Sequence, residues 1–263
     1  MSSLLTRRTC LHHWTEPQYS LLRERDQWVY SPPHRTPGGH LKTKSVIVLV
    51  LLAALMASPT GAQQARRRVF APTSEPYGKT YKQWTGRWAD WFWEIPGERH
   101  PGSELTPRSC RRHQRGPVWF VVLAPPGGRC VIPAKKAVLV QGPGWECSTA
   151  EGHGRTYNRL RRCATKRFKR DWGRDVFTFR VRLDGRRIRR ARRWVFTSRG
   201  EVIDFPRGNI WNIKPGPTKS VSRAFLFMLR PLSPGEHTLR VWSKGGLAGE
   251  TTVFETTIES MRR

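Results

Sequence analysis

The chain has 263 residues and carries 48 Lys+Arg against 19 Asp+Glu, a formal net charge of +29. A hydrophobic content of 37 %, with 12 Trp and 11 Phe, supports a packed core and excludes a disordered polycation, a collagen-like fibre and a multi-span membrane protein. Composition alone names no reaction.

Residues 1–40 show neither a helix nor a strand period, and they read as a misassigned start or a disordered extension. Val46–Ala57 is the one long apolar run, at 12 residues too short for a hydrocarbon core that needs about 20. Lys42 and Lys44 precede it, Ser58-Pro59 breaks it, and Thr60-Gly61-Ala62 offers small residues for a peptidase. Residues 41–62 are therefore expected to be a signal peptide cleaved after Ala62, or failing that after Ala65. An uncleaved anchor is the alternative. The remaining chain keeps a net charge of +25, since seven basic and three acidic side chains precede residue 63. A secreted, periplasmic or cell-envelope location follows, with no stable transmembrane span.

Residues 63–76 read as a basic linker, and 77–263 as a single domain. Tyr77, Tyr81, Trp84, Trp88, Trp91 and Ile95 recur at three- and four-residue steps, predicting a helix over 77–95 that Pro96 ends. Its tryptophans are expected to pack on a sheet, with Trp93 off the stripe and exposed. Strands are expected at 118–123, 130–132 and 137–141, with turns at 125–128 and at Gly142-Pro-Gly144. A helix over 155–170 would bury Tyr157, Leu160, Cys163 or Ala164, and Phe168. From Val176 onward the pattern is β: 177–183, 194–197, 202–205, 224–229, 237–242 and 251–258. Asp184-Gly185 predicts a two-residue type I′ hairpin turn. The expected fold is mainly β, a β-sandwich or jelly-roll-like domain with one or two packed helices.

Four cysteines follow the leader, Cys110, Cys130, Cys147 and Cys163. An even count in an exported chain implies two disulfides, with three possible connectivities. Pairing in sequence order, Cys110–Cys130 and Cys147–Cys163, closes two short loops and is the expected one. A zinc site would be the alternative, but no C-x-x-C knuckle is present.

Several landmarks occur in order: Tyr77-Gly78-x-x-Tyr81-x-x-Trp84, Gly116-Pro-Val-Trp-Phe120, Cys130-x-Ile132-Pro-Ala134-x-Lys136-Ala137, Glu146-Cys-Ser-Thr149, Leu160-x-x-Cys163 and Leu232-Ser-Pro-Gly-Glu-His237. Over residues 77–258 this order resembles a family of bacterial secreted proteins with no assigned activity, often labelled hypothetical or signal proteins. The resemblance implies export and a compact domain with cysteines near the matching positions, and no catalytic role. The chain departs from the family pattern in its heavier Arg load and in a strand that stops at Gln141-Gly-Pro-Gly.

No H-E-x-x-H, G-x-S-x-G, phosphate loop or dinucleotide fingerprint occurs. Neither a cofactor nor a metal is implied. Glu146, Glu151 and His153 beside Cys147 form a weak polar constellation with no helix-face ligand spacing. An exported enzyme acting on polysaccharide through these groups is the second reading, with Trp93 or Trp145 as a sugar platform. His237, at a strand entry, reads as structural. The strongest feature is the basic stretch 155–193, with 17 Lys+Arg against Asp171, Asp175 and Asp184. A two-residue turn would pair Arg182 with Arg187 and Arg180 with Arg189, placing four arginines on one face. Opposed like charges destabilise a sheet, and a guanidinium fork suits oxyanions. The first reading is therefore a binding or structural module whose arginine face takes anionic polysaccharide, lipopolysaccharide, anionic lipid or extracellular nucleic acid.

Overall fold

A computed structural model of the protein describes residues 68–124, 126–173, 178–189, 193–244 and 251–262. The signal peptide, its cleavage site and the preceding 40 residues lie outside the described residues. Thr80 caps the first helix, α1 (Tyr81–Trp93), through a reciprocal box with Gln83. The helix thus begins four residues later than the aromatic period suggested. Tyr77 belongs instead to a short turn with φ 55°. Further along lie α2 (Pro107–Cys110) and α3 (Tyr157–Trp172). The strands are β1 (Val118–Val122), β2 (Gly128–Pro133), β3 (Ala137–Ser148), β4 (Thr178–Leu183), β5 (Arg186–Ile188), β6 (Val195–Thr197), β7 (Glu201–Phe205), β8 (Gly216–Leu229), β9 (Gly235–Lys244) and β10 (Thr251–Met261).

The strands form two five-stranded sheets. One is ordered β1-β3-β8-β6, with β7 also on β8. The other is ordered β2-β10-β9-β4-β5. This is the expected mainly-β sandwich with packed helices. Gly142-Pro-Gly144 is not a turn. It is a register shift inside β3, which pairs with β8 on both sides of it. A Cβ at Gly142 would meet the Phe179 ring of the facing sheet, which is why glycine occupies the site of closest approach.

Alternation along β8 sorts the layers. Ala224 pairs with Phe196, on which Tyr81 of α1 stacks at 4.7 Å. Ala89 of α1 packs with Ile203 and Phe205 of β7 on that same face. The next residue, Phe225, points the other way. It meets Phe179 of β4 at 4.6 Å and Phe168 of α3 at 5.4 Å. The described residues therefore form three layers, with α1 outside the first sheet and the second sheet plus α3 on its opposite face.

Two sequence expectations are corrected here. The tail of the supposed linker belongs to the fold, because Val69 is buried, bridges Leu229, and is followed by a Phe70 N–H to Met228 O bond of 2.9 Å. Trp93 is not an open platform either. It is half-buried against Phe205 and Trp211. The disulfides are Cys110–Cys130 and Cys147–Cys163. Among the described residues no helix is long and apolar enough to cross a membrane.

Candidate functional site

The hairpin β4–β5 turns through Asp184 and Gly185 with φ of 50° and 71°, as a type I′ turn requires. Its register pairs Leu183 with Arg186, Arg182 with Arg187, and Val181 with Ile188. Phe179, Val181, Leu183 and Ile188 are buried, so Arg180, Arg182 and Arg187 stand on the outer face, all exposed. The ladder stops at Ile188. Arg189 lies just beyond it, exposed but not paired with Arg180.

On its other side β4 pairs with β9, which sets Arg240 opposite Arg182 and Trp242 opposite Arg180. One cross-strand row therefore reads Arg187, Arg182, Arg240, Glu255. Trp242 organises its centre. The guanidinium carbons of Arg182 and Arg240 lie 5.5 and 5.4 Å from its ring centroid. Stacking on an indole leaves the edges of a guanidinium plane free to donate. Arg240 gives its Nε to Glu255 at 2.7 Å. Neither Arg180 nor Arg187 has an ion-pair partner among the described residues. Sequence reasoning missed Arg240 and Trp242, which lie in a strand more than 50 residues away. Their shared parity within 237–242 was the available signal.

The weak polar constellation does converge. Glu146 is hydrogen-bonded to Glu151 and accepts from Ser220 Oγ at 2.5 Å. Ser148 Oγ donates to Glu151 Oε2 at 2.8 Å, and His153 Nδ1 lies 3.4 Å from that oxygen. Burial drives the Glu146 carboxyl well above its usual range, and Glu151 adds to the rise through its hydrogen bond and charge. His153 is shifted down, first by burial and then by Arg167, against the pull of Glu151. Carboxyls in hydrogen-bond contact stand closer than the roughly 5–5.5 Å that flanks a glycosidic bond in a retaining enzyme. His153 also lies within 4.8 Å of the Cys147 and Cys163 sulfurs, but the disulfide has consumed both thiols as ligands. Trp145 is no sugar platform. It donates to Asp171 at 2.5 Å and has Arg167 and Arg170 over its ring.

A third cluster was invisible in the sequence. His237 Nδ1 is 3.0 Å from Asp184 Oδ2, and its Nε2 is 3.3 Å from Ser233 Oγ. These distances would suit a Ser-His-Asp triad. The Ser233 carbonyl decides against it. At 2.9 Å it is the closer partner of Nε2, so the nitrogen needed as a base is turned to an acceptor. The cluster works as a clamp, with Arg68 donating to Asp184 at 2.7 Å and Thr238 N–H at 3.1 Å. Burial disfavours the Asp184 carboxylate, but His237, Thr238 and Arg68 together outweigh it and hold the group below its usual range.

No family model, curated protein or solved structure significantly matches this chain. The arrangement of its own residues carries the functional argument. A separate depression, lined by Pro107, Arg108, Arg111, Arg112 and Val131, shares no residue with the arginine face or the Glu146 network.

Proposed function

We propose that the protein is a secreted or envelope-associated binding module whose arginine face takes anionic polymers. The row Arg187–Arg182–Arg240 around Trp242 carries this reading, because only Arg240 has a carboxylate partner, Glu255, and the opposed pair Arg182 and Arg187 destabilises the sheet unless an anion neutralises it. Replacing Arg180, Arg182, Arg187 and Arg189 with Gln should weaken heparin or nucleic-acid binding and flatten its dependence on salt, since fewer counterions are released. Lys at the same positions should restore the salt slope without full affinity. A Gln variant with wild-type affinity and slope would refute the reading.

Export is supported by the signal-like segment 41–62 and by two disulfides, which persist in oxidising compartments. Protein recovered from the envelope or medium should begin at Gln63 or within about three residues of it. Mass spectrometry checks this, and an intact Met1 species in the inner membrane would overturn it. The second reading, an exported polysaccharide-cleaving enzyme, has against it the direct contact of Glu146 with Glu151, too close to flank a glycosidic bond in the retaining geometry. Cleavage abolished by Glu151→Gln would establish it.

A further inference from the structure

Helix α3 carries a second row of cations. Arg159, Arg162, Lys166 and Lys169 recur at spacings of three, four and three, and all are exposed. They stand opposite the buried Leu160, Ala164, Phe168 and Asp171. Like charges at this spacing repel one another along the helix surface. Arg159 also lies in the first turn, where the positive end of the helix dipole repels it and no acidic residue offsets it. Among the described residues the ion pair within this helix is Arg170 with Asp171, and none of the four cations takes part in one.

Two tryptophans seat guanidiniums in the same way, one beside α3 and one beside the hairpin. Trp145 has the guanidinium carbons of Arg167 and Arg170 at 5.0 and 5.8 Å from its ring centroid. Trp242 has those of Arg182 and Arg240 at 5.5 and 5.4 Å. In each pair one arginine is engaged by a carboxylate, Arg170 by Asp171 and Arg240 by Glu255. The other, Arg167 or Arg182, has no carboxylate partner among the described residues. A guanidinium already held over an indole gives up little freedom when it grips an oxyanion.

The layer order strings these groups along one line. Phe168 of α3 and Phe179 of β4 reach the same side of β8 through Phe225, so their solvent-facing sides point in one direction. Trp145 pairs with Arg223, which lies two residues before Phe225 and therefore on that same side. The two elements follow one another along β8. Leu160 packs with Val221 at one end. At the other, Asp184 binds Arg68, whose carbonyl accepts from Arg230 N–H at 2.8 Å. From Val221 to Arg230 an extended strand covers roughly 30 Å. Glu236, Glu255 and Glu259 of the second sheet are engaged by Arg129 and Arg240, and none of them belongs to α3, β4 or β5.

We propose that α3 and the β4–β5 hairpin form one continuous track that takes a linear acidic polysaccharide lengthwise, its sulfate or carboxylate groups meeting the helix cations first and the hairpin arginines next. This rests on the anion-binding reading above, extends its site onto α3 and narrows it to one partner. Cations spaced along a line complement a chain that repeats its charges along a line. A single-stranded nucleic acid would add base stacking, for which its binders present free aromatic faces. Here Trp145 and Trp242 already carry guanidiniums. The large exposed hydrophobic side chains, Tyr77, Val202, Trp211 and Met261, lie on none of α3, β4 and β5. A sulfated sugar chain held by its charges needs no such platform.

The test uses the oxidised full chain and two heparin fragments, a tetrasaccharide shorter than the track and a dodecasaccharide longer than it, with affinities read by titration calorimetry. A helix variant carries Arg159, Arg162, Lys166 and Lys169 replaced by Gln, a good helix former. A hairpin variant carries Arg180, Arg182, Arg187 and Arg189 replaced by Gln. Both remove like-charge repulsion, so neither should weaken the fold, and circular dichroism checks this. Wild type should bind the dodecasaccharide at least about thirtyfold more tightly than the tetrasaccharide, because the second contact of the long chain is intramolecular. In either variant that advantage should shrink below about fivefold, while the tetrasaccharide, still served by the other half, loses less than about threefold. An oligothymidylate as long as the dodecasaccharide should bind wild type more than about tenfold more weakly than the sugar, its bases finding no free ring. If the helix variant keeps the wild-type length advantage, the track ends at the hairpin, and this proposal fails while the arginine face stands. Oligothymidylate binding as tightly as the dodecasaccharide would overturn the polysaccharide in favour of a nucleic acid. A wild type that binds neither heparin nor nucleic acid would sink the underlying reading as well.

Discussion

Asp90→Asn should stabilise the protein at pH 8 by about 2–4 kcal/mol and leave it unchanged near pH 4. Burial pushes the Asp90 carboxyl up to about 7 from an ordinary 3.8, with the charges of Glu201 and Glu94 adding to the rise and Arg87 opposing it. Glu201 is raised too, chiefly by burial. Each residue has one buried oxygen with no hydrogen-bond partner, Asp90 Oδ1 and Glu201 Oε2. A raised carboxyl favours the folded state only while it is protonated. Its contribution is therefore complete below the unfolded value of 3.8 and drains away as pH rises through about 7. The substituted amide would remove one charge and supply a donor beside Glu201. Gly86 shows how close the approach is, since a Cβ there would collide with the Glu201 carboxylate. That contact explains a glycine in mid-helix, where it costs about 1 kcal/mol relative to Ala. Urea unfolding of both proteins across pH 4–8 measures the effect. A flat wild-type profile, or a D90N protein less stable than wild type at pH 8, would refute the assignment.

Local signals in the sequence set the hairpin turn and the buried side of α3, and missed where the ladder and α1 stop and start. The Asp184-Gly185 turn fixed the hairpin register, and the three- and four-residue stripe of α3 fixed its buried side. Helix α1 started late because the Tyr77 period outran the cap, although the Thr80-x-x-Gln83 box was there to be read. At Gly142-Pro-Gly144 two breakers suggested a turn, yet pairing with β8 on both sides carries β3 straight through.

What the sequence hid is tertiary in origin. Trp242 and Arg240 join Arg182 only through the β4–β9 pairing. Asp90 meets Glu201 only because α1 covers β7, and His237 meets Asp184 only where the hairpin turn reaches the start of β9. No spacing rule links positions so far apart. The basic stretch 155–193 was legible as charge. That its helix and its hairpin face the same way depends on Phe225, in a different strand.

Losing both disulfides should unfold the protein. The bridges span sequence separations of 20 and 16. Loops of that size stabilise by roughly 3 kcal/mol each. Their sum, about 6 kcal/mol, rivals the whole stability of a typical domain, roughly 5–15 kcal/mol. The two contributions should add, because Cys110 and Cys130 sit in the main core while Cys147 lies in a separate cluster with Leu160, Ala164 and Val221. They should differ in their response to salt. Cys147–Cys163 pins α3, with its repelling cations, onto β3. Without that bridge a small apolar cluster, Phe168, and polar contacts such as Trp145 to Asp171 and Arg161 to the Arg199 carbonyl oppose the repulsion. Cys147→Ala/Cys163→Ala should therefore recover stability as salt rises, since the screening length falls from about 10 Å at 0.1 M to about 3 Å at 1 M, below the spacing of neighbouring charges. Cys110→Ala/Cys130→Ala, on the α2–β2 side, should not. Urea unfolding at low and high salt, with the oxidised wild type as reference, reads both effects. A fully reduced chain that still melts cooperatively within about 1 kcal/mol of wild type would overturn the first expectation. Equal salt recovery in the two variants would show that the charges of α3 do not strain its seat.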